Sequence, residues 1–218
     1  EKTELIWFGS RSQLQKLHAS TNPSIYIGGI EVKPVEYVRD LGVILDNQLS
    51  MRKHISQVVS TCSFHLRRLR QLRARLSREQ RQRLVSAIIL SRVDYCNVVL
   101  AGLPASSLAP LQRVLNAAAR FVADLHPRDH VTGTLRDLHW LLIGTRITYK
   151  LCTLMHASVH GAAPVYIRSM LTSVTELPGR SHLRSAASGL YDVPRTRTKF
   201  GTRSFSVAGP TAWNALPL

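Results

Sequence analysis

Helical spacing of apolar side chains over residues 50–172 constrains the fold of this chain more than any other feature of its sequence. From Ser50 onward, apolar residues recur at steps of three and four, so that they share one face of an α-helix. Residues 3–46 differ, because short runs typical of strands are separated there by turn-forming residues. The two patterns predict an α+β fold that is mostly helical, with a small N-terminal antiparallel sheet, several helices and an irregular C-terminal tail.

Short strands are predicted in the N-terminal region at residues 5–8, 25–27, 31–33, 36–38 and 43–45. Gly28 and Gly29 are suited to turn the chain between two of these strands, because glycine adopts turn conformations without steric cost. Pro34 has no backbone N–H and is expected to mark a sheet edge or a break.

Helix starts are marked by serines. Ser50 is expected to cap a helix that begins at Met51, and Ser77 with Gln80 three residues later has the pattern of a capping box. The helix after Ser77 is expected to carry Leu84, Ala87 and Ile88, with Val93 as a further candidate, on its inward face. Further helices are predicted from residue 106 or 107 to the break at Pro127, and over residues 132–138, 145–160 and 164–171. Beyond residue 172 the helical pattern is lost, and extended pieces are expected around residues 191–193 and 205–207.

The chain is strongly basic, with a net charge of +16 from 29 Lys and Arg against 13 Asp and Glu in 218 residues. Its apolar share of 44% is that of a globular protein, so the charge is not a sign of disorder. A folded protein this basic usually binds a polyanion. The composition therefore favours a nucleic acid as the partner.

The cysteine pattern and the hydropathy of the sequence indicate the cellular environment of the protein. The three cysteines, Cys62, Cys96 and Cys152, form no CxxC pair, which favours a reducing, intracellular environment over a disulfide framework or a zinc ribbon. Residues 84–103 are the most apolar stretch, but Arg92 and Asp94 interrupt it. No membrane span and no membrane partner are therefore expected. The chain begins without Met and ends without a polar tail, which suggests a segment of a longer protein.

Residues 66–84, LRRLRQLRARLSREQRQRL, contain eight arginines and a single glutamate, Glu79. On one continuous helix the leucines at positions 66, 69, 72 and 76 share an arc, and the arginines at positions 67, 68, 70 and 75 lie opposite. A solvated helix would place Glu four residues before most of its arginines. The charge density therefore favours phosphate contact, with an acidic protein or a membrane surface as the alternatives. The residues expected to bind nucleic acid are Arg52, Lys53, Arg67, Arg68, Arg70, Arg75 and Arg78.

A second basic block lies in the tail and consists of Arg180, Arg184, Arg195, Arg197, Lys199 and Arg203. Four aromatic residues accompany it, Tyr191, Phe200, Phe205 and Trp213. They are suited either to stack on bases or to pack the tail onto the core.

Catalytic and metal-binding motifs are not found in the sequence. His126 with His130 and His156 with His160 have helical spacing, but Pro127 lies within the first pair and no Cys or carboxylate lies near the second. GxSxG, Walker A and GxGxxG motifs do not occur, and the aspartates are scattered singly. No metal site and no cofactor are therefore predicted in this chain.

Six phrases, in order, resemble the reverse transcriptase of non-LTR (LINE-type, jockey-like) retrotransposons. They are KTELIWFG at 2–9, VEYVRDLGVILDNQLSMRKHI at 35–55, LSRVDYCNVVLAGLP at 90–104, LQRVLNAAARFV at 111–122, LRDLHWLLIGTRITYKLCTLMHASVHGAAPVYI at 135–167 and RSFSVAGPTAWNALP at 203–217. The resemblance spans nearly the whole chain. Leu142 and His156 depart from residues common in the family, which suggests a drifting copy of the element.

The resemblance implies the end of a polymerase palm, a thumb and a C-terminal extension. The implied segments are a palm remnant (1–49), thumb-like basic helices (50–104), a helical extension (105–172) and a basic, loop-rich tail (173–218). Lys2 would match the lysine proposed to protonate the leaving pyrophosphate. The turn at Leu41, Gly42 and Val43 would match the primer grip, which holds the 3′ end of the primer.

The fingers and the catalytic aspartates of the family would precede residue 1. The chain alone is therefore expected to be inactive as an RNA-directed DNA polymerase, and Mg²⁺ is expected only in the full polymerase. Its expected partners are an RNA or DNA template–primer and the missing fingers and palm segment, with no small-molecule substrate of its own. The alternative is a domesticated helical scaffold that binds a protein partner.

Overall fold

The computed structural model describes residues 3–20, 24–177 and 189–217. Within these ranges the chain is mostly helical and contains two antiparallel ribbons of two strands each. The predicted α+β class with a helical majority is confirmed. No described helix combines the length and the apolar composition that crossing a lipid bilayer requires.

The N-terminal region forms two separate ribbons rather than one sheet. The strands are β1 (Ile25–Ile27), β2 (Ile30–Val32), β3 (Tyr37–Asp40) and β4 (Val43–Asp46). In the registers, Ile25 pairs with Val32, and Tyr37 pairs with Asp46. These strands overlap the predicted segments, and Gly28 and Gly29 turn the chain with positive φ. The strand predicted at 5–8 is wrong, because Leu5 makes only an isolated bridge to Pro34.

Residues 11–20 form a helix, α1 (Arg11–Ser20), that the strand-rich interpretation missed. Its N-terminus is capped reciprocally, because the Gln13 N–H donates to Ser10 Oγ at 3.3 Å and the Ser10 N–H donates to Gln13 Oε1 at 2.9 Å. The S-x-x-Q spacing of a capping box was therefore present in the sequence. The helix has no clear apolar stripe, because Leu14 alone is buried among the α1 side chains that the structure describes.

In the described residues, seven further α-helices lie in the region of helical periodicity, and one more lies in the tail. They are α2 (Arg52–Gln71), α3 (Arg78–Val85), α4 (Ser91–Asp94), α5 (Ala105–Ala123), α6 (Thr132–Asp137), α7 (Ile143–Val159), α8 (Val165–Arg168) and α9 (Phe205–Asn214). Helices α5 to α7 match the predicted segments closely, whereas α8 covers only residues 165–168 of the predicted 164–171. The helix α2 packs most extensively on α5, and α7 packs on α9. One apolar core runs through these contacts, with Ile55, Cys62 and Leu66 of α2 against Leu111, Leu115 and Ala118 of α5.

The start of α2 differs from the expected serine cap. The residue before the helix is Met51, which is buried and left-handed at φ 59°. The buried carboxylate of Asp46 accepts hydrogen bonds from the N–H groups of Ser50 at 2.9 Å and Met51 at 2.7 Å. Asp46 therefore fixes the tight connection between β4 and α2, and the helix begins at Arg52.

The capping box at Ser77 and Gln80 is confirmed, because both reciprocal hydrogen bonds are present. The inward face predicted for the following helix is confirmed at Val93, which is buried, and at Leu84 and Ile88, which are half-buried against the core, but it is wrong at Ala87, which is exposed. Val85 and Ile89, which were not predicted, are fully buried. A π-helical turn over Ser86–Leu90 widens the helix at this point, so the buried face departs from the 3.6-residue spacing.

The extended piece predicted at 205–207 is also wrong, because these residues begin α9. Gly209 and Pro210 read as helix breakers in the sequence, yet both are buried inside α9. A Cβ atom on Gly209 would lie 2.9 Å from Met155 Sδ, so glycine permits the close approach of α9 to α7. Tyr191 makes an isolated antiparallel bridge with Ser173, in agreement with an extended piece there.

Candidate nucleic-acid interface

An open groove runs between α2 and α5, and we call it the α2–α5 groove. It consists of two adjoining cavities of about 470 and 420 Å³, which share Val59 and Pro110 in their walls. Its cationic side chains are Arg52, Arg67, Arg70 and Arg113, and its small polar side chains are Ser56, Ser63, Ser106 and Ser107. Neither α2 nor α5 contains an Asp or Glu. The groove therefore has a positive lining with hydroxyl groups between its charges.

The four arginines of the groove are exposed, and within the described part of the chain none of them makes an ion pair. Arg52 and Arg70 are separated by about five helical turns, so they lie on one line of α2 roughly 27 Å apart. Arg67 lies one turn before Arg70 on the same side. Arg113 faces this line from α5. The guanidinium groups of these four arginines therefore line the α2–α5 groove without an acidic partner among the described residues.

The other residues expected to bind nucleic acid lie outside the groove, at several different places on the surface. Lys53 Nζ lies 3.8 Å from the ring centroid of Tyr37, beside the β3–β4 hairpin. The Arg68 guanidinium lies 5.6 Å from the Phe64 ring, on a different side of α2 from the groove. Arg75 and Arg78 are exposed beyond the end of α2. Only Arg52, Arg67 and Arg70 of the predicted set are thus brought together in the groove.

The single arginine face predicted across residues 66–76 is wrong. Helix α2 ends at Gln71, and Leu72 is 46% exposed rather than part of the apolar arc. A short 3₁₀ turn, Arg73–Arg75, then leads to the cap of α3. Leu76, which follows this turn, is extended at φ −112° and ψ 130°. The α-helical periodicity therefore does not continue from residue 66 to residue 76, and the arginines of this range do not share one α-helical face.

Asp124 neutralises part of the arginine stretch. Arg73 forms an ion pair with Asp124, and Arg81 Nη1 lies 3.8 Å from the same carboxylate and donates to the Phe121 carbonyl at 3.2 Å. Arg83 pairs with Glu79 at 2.7 Å on the surface of α3. Three of the eight arginines therefore have acidic partners, and in the described residues Arg67, Arg68, Arg70, Arg75 and Arg78 have none.

Leu41, Gly42 and Val43, the residues of the primer-grip-like turn, form the tip of the β3–β4 hairpin. Leu41 and Gly42 both have positive φ, 43° and 88°, and Val43 is buried. The Tyr95 hydroxyl donates to the Leu41 carbonyl at 2.6 Å and so holds the turn against the end of α4. Tyr95 is 54 residues away in sequence, and no sequence pattern marked it.

Arg113 is the groove residue that sequence reasoning missed. It is an isolated cation among apolar and small residues of α5, so charge density did not select it. Only the packing of α5 on α2 brings it opposite Arg67 and Arg70. The acid-free composition of both helices was the signal available in the sequence.

Of the two roles predicted for the tail aromatics, packing onto the core is confirmed for Phe205, whereas Arg203 of the basic block is engaged in the fold. Arg203 donates to three backbone carbonyls, so it acts in the fold rather than as a free cation. Phe205 packs partly against the core, and the Trp213 indole N–H donates to the Gly189 carbonyl at 3.2 Å. Phe200 is exposed. Lys2, Arg180 and Arg184 lie outside the described residues.

Titratable and metal-ligating groups do not form a reactive cluster in the described residues. The His156 and His160 rings lie 4.2 Å apart, but no group of three or more potential ligands occurs in those ranges. Burial raises the pKa of the Cys62 thiol to about 11, so this thiol is un-ionised at neutral pH.

Comparison of the chain with protein-family models, with curated proteins and with solved structures finds no match.

Proposed function

We propose that the chain binds nucleic acid through phosphate contacts in the α2–α5 groove. The observation that carries the proposal is the row of exposed arginines, Arg52, Arg67, Arg70 and Arg113, on two helices without acidic residues. Unneutralised positive charge at this density repels itself, and a polyanion relieves that repulsion. Binding of this kind also agrees with the net charge of +16.

Guanidinium groups and serine hydroxyls suit phosphate oxygens. A guanidinium can donate two parallel hydrogen bonds to one phosphate, and a hydroxyl can donate a further one. Phosphates are the same along any strand, so contacts to them position the ligand without selecting its sequence. The groove is therefore proposed to tolerate any base sequence.

The resemblance to LINE-type reverse transcriptases supports a more specific role. In this proposal the chain is a fragment of a mobile-element RNA-directed DNA polymerase, and α2 belongs to its thumb. The groove would follow the template–primer, and the Leu41–Val43 turn would lie near the primer end. Polymerisation would need the fingers and the catalytic carboxylates of a separate segment with their Mg²⁺.

Charge reversal tests the groove directly. The variants Arg67→Glu with Arg70→Glu, and Arg52→Glu with Arg113→Glu, are compared with the parent protein by fluorescence anisotropy on labelled single strands and duplexes. For the parent, the logarithm of the association constant should fall against log salt with a slope of about −3, because about four phosphates are neutralised. Each pair of reversals should weaken binding at least tenfold and make the slope shallower by about two.

The double variant Arg136→Glu with Arg168→Glu is the matched control, because it changes the net charge by as much as each groove variant and its two exposed arginines, on α6 and α8, do not line the groove. It should leave the salt slope unchanged. Equal loss in this control and in the groove variants would show that net charge alone drives binding. Scrambling the base sequence should have little effect, and a large effect would contradict phosphate recognition.

A protein-binding scaffold is the second candidate function. The observation in its favour is the exposure of Val165, Tyr166 and Met170 on and just after α8. An interface there would be apolar and insensitive to reversal of the groove arginines. A protein partner that survives these reversals while nucleic acid is lost would separate the two functions.

A further inference from the structure

A second cavity lies where three distant parts of the chain meet, and we call it the Phe8–Phe200 pocket. It has a volume of about 360 Å³ and is bounded by the segment before α1, the loop after β4 and residues 198–200. A volume of this size falls within the range of about 300–1,000 Å³ found for small-ligand sites. The side chains used below are Phe8, Gln13, Asn47, Gln48, Lys199 and Phe200.

The two phenylalanines of this pocket are exposed, Phe8 to 49% and Phe200 to 56%. Neither makes a ring–ring or cation–π contact within the described residues. Exposed aromatic rings that line a shared cavity are more typical of a binding site than of the core. Their flat faces suit another planar ring.

The polar groups around these rings are amides and one ammonium. Gln13 Oε1 accepts hydrogen bonds from the Ser10 N–H at 2.9 Å and from Ser10 Oγ at 2.8 Å, which orients its side chain. Asn47 and Gln48 add amide groups, which can both donate to and accept from the edge of a heterocycle. Lys199 supplies a positive charge, and no acidic residue lines the pocket. This chemistry suits an aromatic heterocycle attached to a phosphate.

The pocket and the α2–α5 groove are lined by residues that lie close together in the sequence. Leu49 lines the pocket, and Arg52, three residues later, lines the groove. Three residues span at most about 11 Å, which one or two nucleotides of a single strand can bridge. A strand that passes Arg52 is therefore within one or two nucleotides of the wall that Leu49 contributes to the pocket.

We propose that the Phe8–Phe200 pocket takes one unpaired nucleobase of a strand whose phosphates lie in the α2–α5 groove. The base stacks on Phe8 or Phe200, and the amides of Asn47 and Gln48 contact its edge. This inference rests on the proposed function, and it specifies the ligand further as a nucleic acid with a single-stranded part.

The test compares two labelled single strands of twelve nucleotides with equal numbers of phosphates, one an oligothymidylate and the other fully abasic. Stacking of one base on an aromatic side chain should make the oligothymidylate bind about five- to a hundredfold more tightly. The double variants Phe8→Ala, Phe200→Ala and Phe8→Leu, Phe200→Leu should abolish most of this difference. The leucine variant retains apolar volume, so it separates loss of stacking from loss of folding. Tyr149→Ala is the control, because Tyr149 is an exposed aromatic residue of α7.

The outcomes separate the two proposals. Equal affinity for both strands would overturn the base pocket and leave the groove intact. Binding of neither strand would overturn the proposed function, and the pocket with it. A preference for bases that survives both phenylalanine double variants, or that Tyr149→Ala also removes, would place the base elsewhere and overturn the inference.

Discussion

At the scale of single residues, His54 links the β3–β4 hairpin to the first turns of α2. Its side chain is buried, and Nδ1 accepts a hydrogen bond from the Ile44 N–H at 3.4 Å. Burial lowers the pKa of His54 below its usual value of 6.5, because the charged imidazolium is poorly solvated there. The neutral ring is thus the form that the fold requires.

This shift predicts that the protein loses stability as the pH falls below about 6.5. In that range the unfolded chain takes up a proton at His54 that the folded chain resists, so the free energy of unfolding decreases. The contribution is fully present above pH 6.5 and disappears as the pH falls through the folded-state pKa. Urea unfolding between pH 7.5 and 5.0 should therefore be less pH-dependent in His54→Leu than in the parent. His126→Gln, at an exposed histidine, serves as the control and should keep the parental dependence.

Several elements could be predicted from the sequence because local signals agreed. Helices α5 to α7 have apolar periodicity together with clear breaks, and the cap at Ser77 follows from residue types alone. Helix α9 could not be predicted, because its Gly209 is favourable only where α7 approaches. The groove could likewise be predicted only in part. Charge density in the sequence identifies Arg67 and Arg70, but the ion pairs of Asp124 and the position of Arg113 depend on how the helices pack.

The β3–β4 turn is an element whose sequence fits its geometry only in part. A two-residue hairpin turn with positive φ at both positions favours Asn followed by Gly. Gly42 satisfies this preference, but Leu41 adopts φ 43° although it is 83% exposed. Leucine in a left-handed conformation costs about 1 kcal/mol or more. A leucine at this position is therefore unfavourable for folding.

Leu41→Asn is expected to stabilise the protein by about 0.5–1 kcal/mol, because the strain is relieved and little packing is lost. Gly42→Ala is expected to destabilise it by about 1 kcal/mol or more, since alanine resists φ 88°. Chemical denaturation of both variants measures these changes. Gly133→Ala is the control, because a Cβ atom there meets nothing within 4 Å and φ is not positive. A stabilising Gly42→Ala would contradict the assigned turn.

At the scale of the whole molecule, Arg203 joins the C-terminal segment to two earlier loops. Its guanidinium donates to the carbonyls of Leu49 at 2.6 Å, Ala101 at 3.0 Å and Val99 at 3.1 Å. The bond to Leu49 spans 154 residues of sequence. Because Leu49 lines the Phe8–Phe200 pocket, Arg203 holds together the two sides of that pocket.

Arg203→Met is expected to destabilise the protein by about 2–3 kcal/mol, because a charged donor to three carbonyls is lost. Arg203→Lys should recover only part of this, since one ammonium cannot reproduce the planar fork of a guanidinium. Urea unfolding measures both, with Arg195→Met at an exposed tail arginine as the control, expected within about 0.5 kcal/mol of the parent. In the folded Arg203→Lys protein, the preference for oligothymidylate over the abasic strand should weaken while the salt slope of the groove stays unchanged. Parental stability in Arg203→Met would mean that the tail is held by α9 alone.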